Sequence, residues 1–169
     1  MSLENINLSP ENLETKKAVG FIESIKTGSE QRAQIILVRL GLKPATELVL
    51  YPGNSSEEEA ETFLKKSGLV CLKRENKEQK RAVAEYVVAK DRETAEKLLN
   101  CNSPTEYGML MGYPETAVQA FETKDIYKGP LPEDVESSIF QLKFSKEHFA
   151  DEFETVRKWN RALAEYRQR

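Results

Sequence analysis

Cysteine and histidine are scarce in this 169-residue chain, which contains only Cys71, Cys101 and His148. A small secreted scaffold would carry several cysteines at close spacing, so we expect no disulfide framework and a reducing compartment. A structural zinc site needs about four cysteine or histidine ligands at short spacing, and none is visible. We therefore predict no metal site and no cofactor, and the sequence assigns no catalytic residue.

Long apolar runs are also missing, since none exceeds four residues, as in residues 35–38. A membrane-spanning helix needs about 20 consecutive apolar residues. The first ten residues show no basic segment followed by an apolar one, so we expect no signal peptide. These absences predict a soluble, cytoplasmic protein with no membrane partner.

The charge is nearly balanced, with 25 basic and 28 acidic side chains and a net charge of -3. This balance argues against bulk attraction to nucleic acid, although it leaves a local basic patch open. Residues 51–56 lack the second glycine and the lysine of a phosphate-binding loop. The length and the 39% hydrophobic content predict a single globular domain over residues 1–169.

Both ends of the chain carry helix signals. Ser9 and Pro10 predict the start of a first helix that ends near Gly28, and Ser29 predicts the cap of a second helix that Gly41 ends. Residues 9–41 are therefore interpreted as an N-terminal helix pair. Residues 145–169 have acids early, bases late and an apolar stripe, which predicts a long C-terminal helix.

The middle of the chain shows the alternation typical of strands, with two capped helical segments between the strands. The predicted strands are residues 47–51, 69–74, 81–90 and 139–144. The order strand, helix, strand, strand, helix, strand is that of a ferredoxin-like βαββαβ unit. The predicted fold class is thus α+β, with a ferredoxin-like core in residues 46–101 and 138–144.

Residues 102–136 interrupt this core before its last strand. Ser103 with Pro104 and Glu106 forms a capping-box pattern, Gly112 is placed to end the helix, and Pro114 is placed to start another. The pattern predicts an inserted helical hairpin with a tight corner.

The hairpin sequence reads Pro-x-Glu-Tyr-Gly-x-Leu-x-Gly-Tyr-Pro from Pro104, followed by Val118 and Phe121. It resembles a motif of small bacterial proteins, mostly clostridial, and is similar to an archaeal family in which Gly-Tyr-Pro precedes two cysteines. A weaker echo lies at residues 41–45. Neither resemblance implies an activity. Thr105 stands where the bacterial motif has histidine, and residues 116–117 are Thr-Ala where the archaeal motif has cysteines. If those residues perform chemistry or bind metal in the two families, this chain lacks the groups to do the same.

Two segments supply candidate contact residues. At the hairpin corner, Glu106, Tyr107, Tyr113 and Glu115 are candidates for ligand or partner contact, although a purely architectural or docking corner explains the same pattern. Residues 65–81 carry seven basic against two acidic side chains, which favours either a solvated hairpin or a nucleic-acid contact. The candidates for that contact are Lys73, Arg74, Lys77, Lys80 and Arg81.

Three functions remain open from the sequence. The favoured one is a non-catalytic binding or protein-interaction module, with an unidentified protein or a second copy of the chain as partner. The second is a nucleic-acid-contacting module that uses the basic hairpin, although such sheets need stacking aromatics that are poorly represented here. The third is a small enzyme with its site at Glu106, Tyr107 and Tyr113.

Overall fold

The computed structural model describes residues 9–75 and 81–167, which form eight helices and one three-stranded sheet. The helices are α1 Pro10–Glu23, α2 Ser29–Arg39, α3 Glu57–Lys66, α4 Arg92–Leu99, α5 Pro104–Leu110, α6 Glu115–Thr123, α7 Glu133–Glu136 and α8 Phe149–Arg167. The strands are β1 Ala45–Leu50, β2 Val70–Arg74 and β3 Ala84–Ala89. The α+β class is therefore confirmed.

The sheet has the order β1-β3-β2, and both outer strands run antiparallel to β3. Alternating side chains divide it into two buried faces, as the strand period requires. One face, with Leu48, Tyr86 and Val88, packs against α1, α2, α3 and the Trp159 side chain of α8. The other face, with Val87, packs against α4 and the end of α5. The helices α3 and α4 thus cover opposite faces of the sheet.

The predicted strand over residues 139–144 is wrong, because this segment forms no strand in the described part of the chain. Its alternation reflects burial instead. The ring centroids of Phe140 and Trp159 lie 5.3 Å apart in an edge-on arrangement, and those of Phe144 and Phe153 lie 4.8 Å apart. The next residue, Ser145, forms an isolated antiparallel β-bridge with Ile126. With three strands described, the ferredoxin-like βαββαβ core is not confirmed.

The outer edge of β1 is closed by a side chain. The amide of Gln31 on α2 accepts a hydrogen bond from the Val49 backbone N–H at 2.6 Å and donates one to the Val49 carbonyl at 3.1 Å. These two backbone groups are the ones that an additional strand would need for pairing. The Gln31 side chain of α2 therefore occupies two backbone groups at the outer edge of β1.

Most predicted helix signals have the expected geometry. Ser9 caps α1 and Ser103 caps α5 through their hydroxyl groups, and the predicted N-terminal pair and hairpin are both present. Two details differ. The residue that caps α2 is Gly28 rather than Ser29. The helix α8 begins at Phe149 rather than at Ser145, whose hydroxyl accepts a hydrogen bond from the His148 N–H just before the helix. Among the described helices, none combines the length and apolar character of a membrane span.

Candidate functional site

The corner between α5 and α6 packs directly on the loop between α2 and β1. Gly112 ends α5 with a φ of +79°, a backbone angle that residues with a Cβ rarely adopt. A Cβ on Gly112 would lie 3.0 Å from the Lys43 Cβ and 3.0 Å from the Pro44 Cδ. The Gly-Tyr-Pro corner and the loop that carries its weaker echo are therefore in contact in the folded chain.

The two helices of the hairpin approach each other closely at a second glycine. A Cβ on Gly108 of α5 would lie 2.9 Å from a methyl carbon of Val118 on α6. Such a distance is shorter than packed side chains tolerate, so the glycine permits this crossing. The crossing sets the separation of α5 and α6 beside the cleft described next.

A cleft of about 560 Å³ lies between the hairpin and residues 141–143. Its apolar wall is formed by Ala117 and Val118 of α6, by Leu142 and by the exposed ring of Phe121. The volume lies within the roughly 300–1,000 Å³ that small-molecule sites occupy. The hairpin thus forms one side of a space large enough for a small organic ligand.

Two tyrosines and two lysines provide most of the polar groups of the cleft: Tyr107, Tyr113, Lys124 and Lys143. The Lys124 ammonium lies 4.9 Å from the centre of the Phe121 ring, and Lys143 forms no ion pair within the described residues. The cleft also includes the carboxylate of Glu122, which accepts a hydrogen bond of 2.7 Å from the Thr105 hydroxyl. Two cations and one carboxylate that is already hydrogen-bonded therefore line the same cleft.

Both tyrosines of the cleft are held in the neutral form. Burial is the main cause that raises the pKa of Tyr107, and a hydrogen bond to the Glu47 carboxylate raises it further. Glu47 also pairs with the Arg74 guanidinium across the sheet. Burial likewise raises the pKa of Tyr113, with the charges of Glu30 and Glu47 as smaller causes. A neutral phenol has one O–H donor, so the Tyr107 hydroxyl, which donates to Glu47, can only accept a hydrogen bond from a ligand in the cleft.

Behind Tyr113 lies a buried lysine that the sequence analysis did not select. The Lys43 side chain is 2% exposed, and its ammonium donates a hydrogen bond to the Gln34 side chain. The Nζ atom lies 4.8 Å from the centre of the Tyr113 ring and 5.0 Å from that of Trp159, within cation-π range. Burial lowers the pKa of Lys43 to about 8, against an opposing effect of the Glu30 carboxylate.

The predicted corner residues are only partly brought together. Tyr107 and Tyr113 both line the cleft. Glu106 and Glu115 are exposed and do not line it; the Glu106 N–H is capped by Ser103, and the Glu115 carboxylate accepts a hydrogen bond from Gln119. The cleft residues on α6 and on residues 141–143 were missed, because nothing local indicates that these segments face α5.

The candidate nucleic-acid residues carry charges that are partly compensated. Lys73 pairs with Glu57 at 2.5 Å, and Arg74 pairs with Glu47. Arg81 is exposed, while Lys77 and Lys80 lie outside the described residues. The part of the hairpin that the structure describes therefore presents fewer free cations than its sequence suggests.

No group of three histidine, cysteine or acidic side chains within residues 9–75 and 81–167 is placed to hold a metal ion. Comparisons with protein-family models, curated proteins and solved structures find no match for this chain. The resemblance of the hairpin motif to clostridial and archaeal proteins therefore stays a prediction.

Proposed function

We propose that the protein is a non-catalytic binding module that holds a small, mainly apolar ligand with one anionic group in the cleft beside the α5–α6 hairpin. The observation that carries this proposal is the cleft itself, which joins an apolar wall to two neutral tyrosines and two lysines. Ligand sites are typically apolar spaces of this size with a few placed polar groups.

The polarity of the cleft defines the ligand class. The Phe121 ring, 55% exposed, and Leu142 offer apolar contact surface that water covers in the free protein. Lys124 and Lys143 carry two positive charges, and Glu122 in the same cleft offsets only one of them. The remaining positive charge favours a ligand with an anionic group. An aromatic or branched-chain carboxylic acid combines both features.

The protonation of the cleft favours binding over chemistry. A general base that works near neutral pH needs a pKa close to that pH. Tyr107 and Tyr113 have a pKa raised above the ordinary value of a phenol, so both keep their protons at pH 7. The Glu122 carboxylate is engaged by Thr105. These groups suit recognition of a ligand rather than proton abstraction from it.

The direct test is a nuclear magnetic resonance titration of the full chain with indole-3-acetate and with its uncharged amide. We expect the acid to shift the amide signals of residues 104–124 and 141–143, and we expect the uncharged amide to bind more weakly. The Phe121 ring is exposed, so replacing it should leave the fold intact. Phe121→Ser should weaken binding of the acid about tenfold, which corresponds to about 1.4 kcal/mol.

A matched control is available on α1, where Leu13 is also an exposed apolar side chain but lies outside the cleft. Leu13→Ser should leave the affinity unchanged. The proposal fails if neither probe binds with a Kd below about 1 mM. It also fails if Phe121→Ser and Leu13→Ser bind equally well.

A further inference from the structure

A second cavity, of about 550 Å³, lies apart from the cleft, between α1, the start of α2 and the end of α8. Three cationic side chains line it, namely Lys16, Arg32 and Arg167. The one carboxylate that lines it is Glu23. This groove therefore concentrates positive charge on a chain whose net charge is -3.

The single carboxylate does not balance the three cations. Glu23 accepts a hydrogen bond of 2.8 Å from the Arg167 Nε. The Arg32 Nε lies 3.9 Å from the same carboxylate and has no hydrogen-bond partner. Within the described residues, Lys16 forms neither an ion pair nor a hydrogen bond. An anion that entered the groove would find an excess of positive charge.

The two guanidinium groups are already fixed in place. The Arg32 Nη1 donates to the backbone carbonyls of Ile25 and Thr27, and the Arg167 Nη2 donates to that of Ser29 at 3.4 Å. Fixing long side chains in advance removes part of the entropy cost of binding. Planar guanidinium groups also match the oxygens of phosphate and carboxylate better than lysine does.

The middle of α1 leaves the groove open. A Cβ on Gly20 would meet no atom within 4 Å, so the space above this residue is empty. Glycine inside a helix is unfavourable compared with alanine, which makes the position suitable for a substitution that fills the groove without harming the helix. The hydroxyl-bearing residues Ser29 and Tyr166 and the apolar Val19 complete the lining.

We propose that this groove binds the phosphate group of a small organic phosphate monoester. Lys16, Arg32 and Arg167 would contact the phosphate oxygens, and the remaining volume would receive the organic part. The groove volume exceeds the space that a phosphate group alone fills. This site is independent of the proposed cleft ligand, because the two cavities share no lining residue.

The test is isothermal titration calorimetry on the full chain with inorganic phosphate, ribose 5-phosphate and adenosine 5′-monophosphate at matched ionic strength. We expect at least one ester to bind more tightly than inorganic phosphate. Lys16→Gln should weaken this binding about fivefold or more. Lys17→Gln is the control, since it makes the same charge change at an exposed neighbour outside the groove.

A second variant separates occupation of the groove from general charge effects. Gly20→Leu keeps every charge and places a side chain in the empty space, so it should abolish binding while the circular dichroism spectrum stays that of the parent chain. Equal affinities for the Lys16→Gln and Lys17→Gln variants would overturn the proposal. Absence of binding by all three phosphates, or tighter binding of inorganic phosphate than of either ester, would overturn it as well.

Discussion

The Lys43 ammonium lies 4.8 Å from the centre of the Tyr113 ring, so a tyrosine of the cleft also covers a buried charge. The same ammonium lies 5.0 Å from the centre of the Trp159 ring of α8 and donates a hydrogen bond to the Gln34 side chain of α2. This arrangement joins the hairpin corner, α2 and α8 around one cation. A lysine with so little contact with water is stabilised by these partners and by the charge of the Glu30 carboxylate.

We expect the buried charge to appear in the pH dependence of stability. The pKa of Lys43 is lowered from 10.5 to about 8 in the folded chain, so between these values the unfolded chain holds the proton and the folded chain does not. The unfolding free energy should therefore rise with pH across this window, by up to about 3 kcal/mol. Below pH 8 both states are protonated, and this contribution has no slope.

Urea unfolding of the parent chain and of Lys43→Met between pH 7 and 10.5 measures this effect. All other titrating groups are common to the two chains, so the difference between their profiles isolates Lys43. Lys17→Met, a change at an exposed lysine, should follow the parent chain. Parallel profiles for the parent and Lys43→Met would show that Lys43 titrates normally.

Gly112 provides a test of the contact between the corner and the Lys43 loop. Gly112→Ala places a Cβ 3.0 Å from two side-chain carbons at a positive φ, and both effects destabilise. Gly68 ends α3 in the same way, with a φ of +77°, but a Cβ there meets nothing within 4 Å. We expect Gly68→Ala to cost about 1–2 kcal/mol and Gly112→Ala at least 1 kcal/mol more. Equal losses of unfolding free energy for the two variants, measured by thermal or urea unfolding, would mean that the contact between the corner and the Lys43 loop contributes nothing to stability.

Local signals explain which parts of the fold could be predicted. The caps and the glycine stop of the hairpin act within a few residues, so Ser103 and Gly112 indicated α5 directly. The predicted strand at residues 139–144 failed for a nonlocal reason. Alternation reports which side chains are buried, and here the packing of Phe140 and Phe144 on rings of α8 produces it without a strand.

The candidate site was predicted only in part for the same reason. Tyr107 and Tyr113 belong to one local motif, and both line the cleft. Lys43 lies in a loop, where a lysine normally faces water. Its burial depends on Tyr113 and Trp159, which are distant in the sequence. No pattern in a single sequence joins these three residues.

A pair of glycine substitutions tests the helix crossing beside the cleft. Gly108→Ala should destabilise the chain by about 1–3 kcal/mol, because its Cβ would press on Val118 at 2.9 Å. Gly20→Ala makes the same change inside α1 with no atom nearby, so it should stabilise by about 0.5–1 kcal/mol. We expect thermal unfolding to show a lower stability for Gly108→Ala and a higher stability for Gly20→Ala than for the parent chain. If Gly108→Ala also stabilises, the two helices do not pack closely at this point.

Nucleic-acid binding is the alternative that the ion pairs disfavour. Lys73 and Arg74 each pair with a glutamate, so few free cations remain among the residues of this hairpin that the structure describes. We expect no change in fluorescence polarisation of labelled single-stranded RNA or DNA at about 50 mM salt, with protein up to about 100 µM. Binding that weakens steeply with added salt would instead favour the nucleic-acid function.

Glu152 is a buried carboxylate that accepts three hydrogen bonds. It is 1% exposed and accepts bonds of 2.7 Å from the N–H and the hydroxyl of Ser145 and of 2.6 Å from the Thr116 hydroxyl. Glu152→Gln replaces one acceptor oxygen by an NH₂ donor, so at least one of these donors loses its acceptor. We expect a loss of about 1–3 kcal/mol in urea unfolding. Asp151→Asn, the same change at an exposed neighbour, should cost less than about 1 kcal/mol, and equal losses would contradict this role.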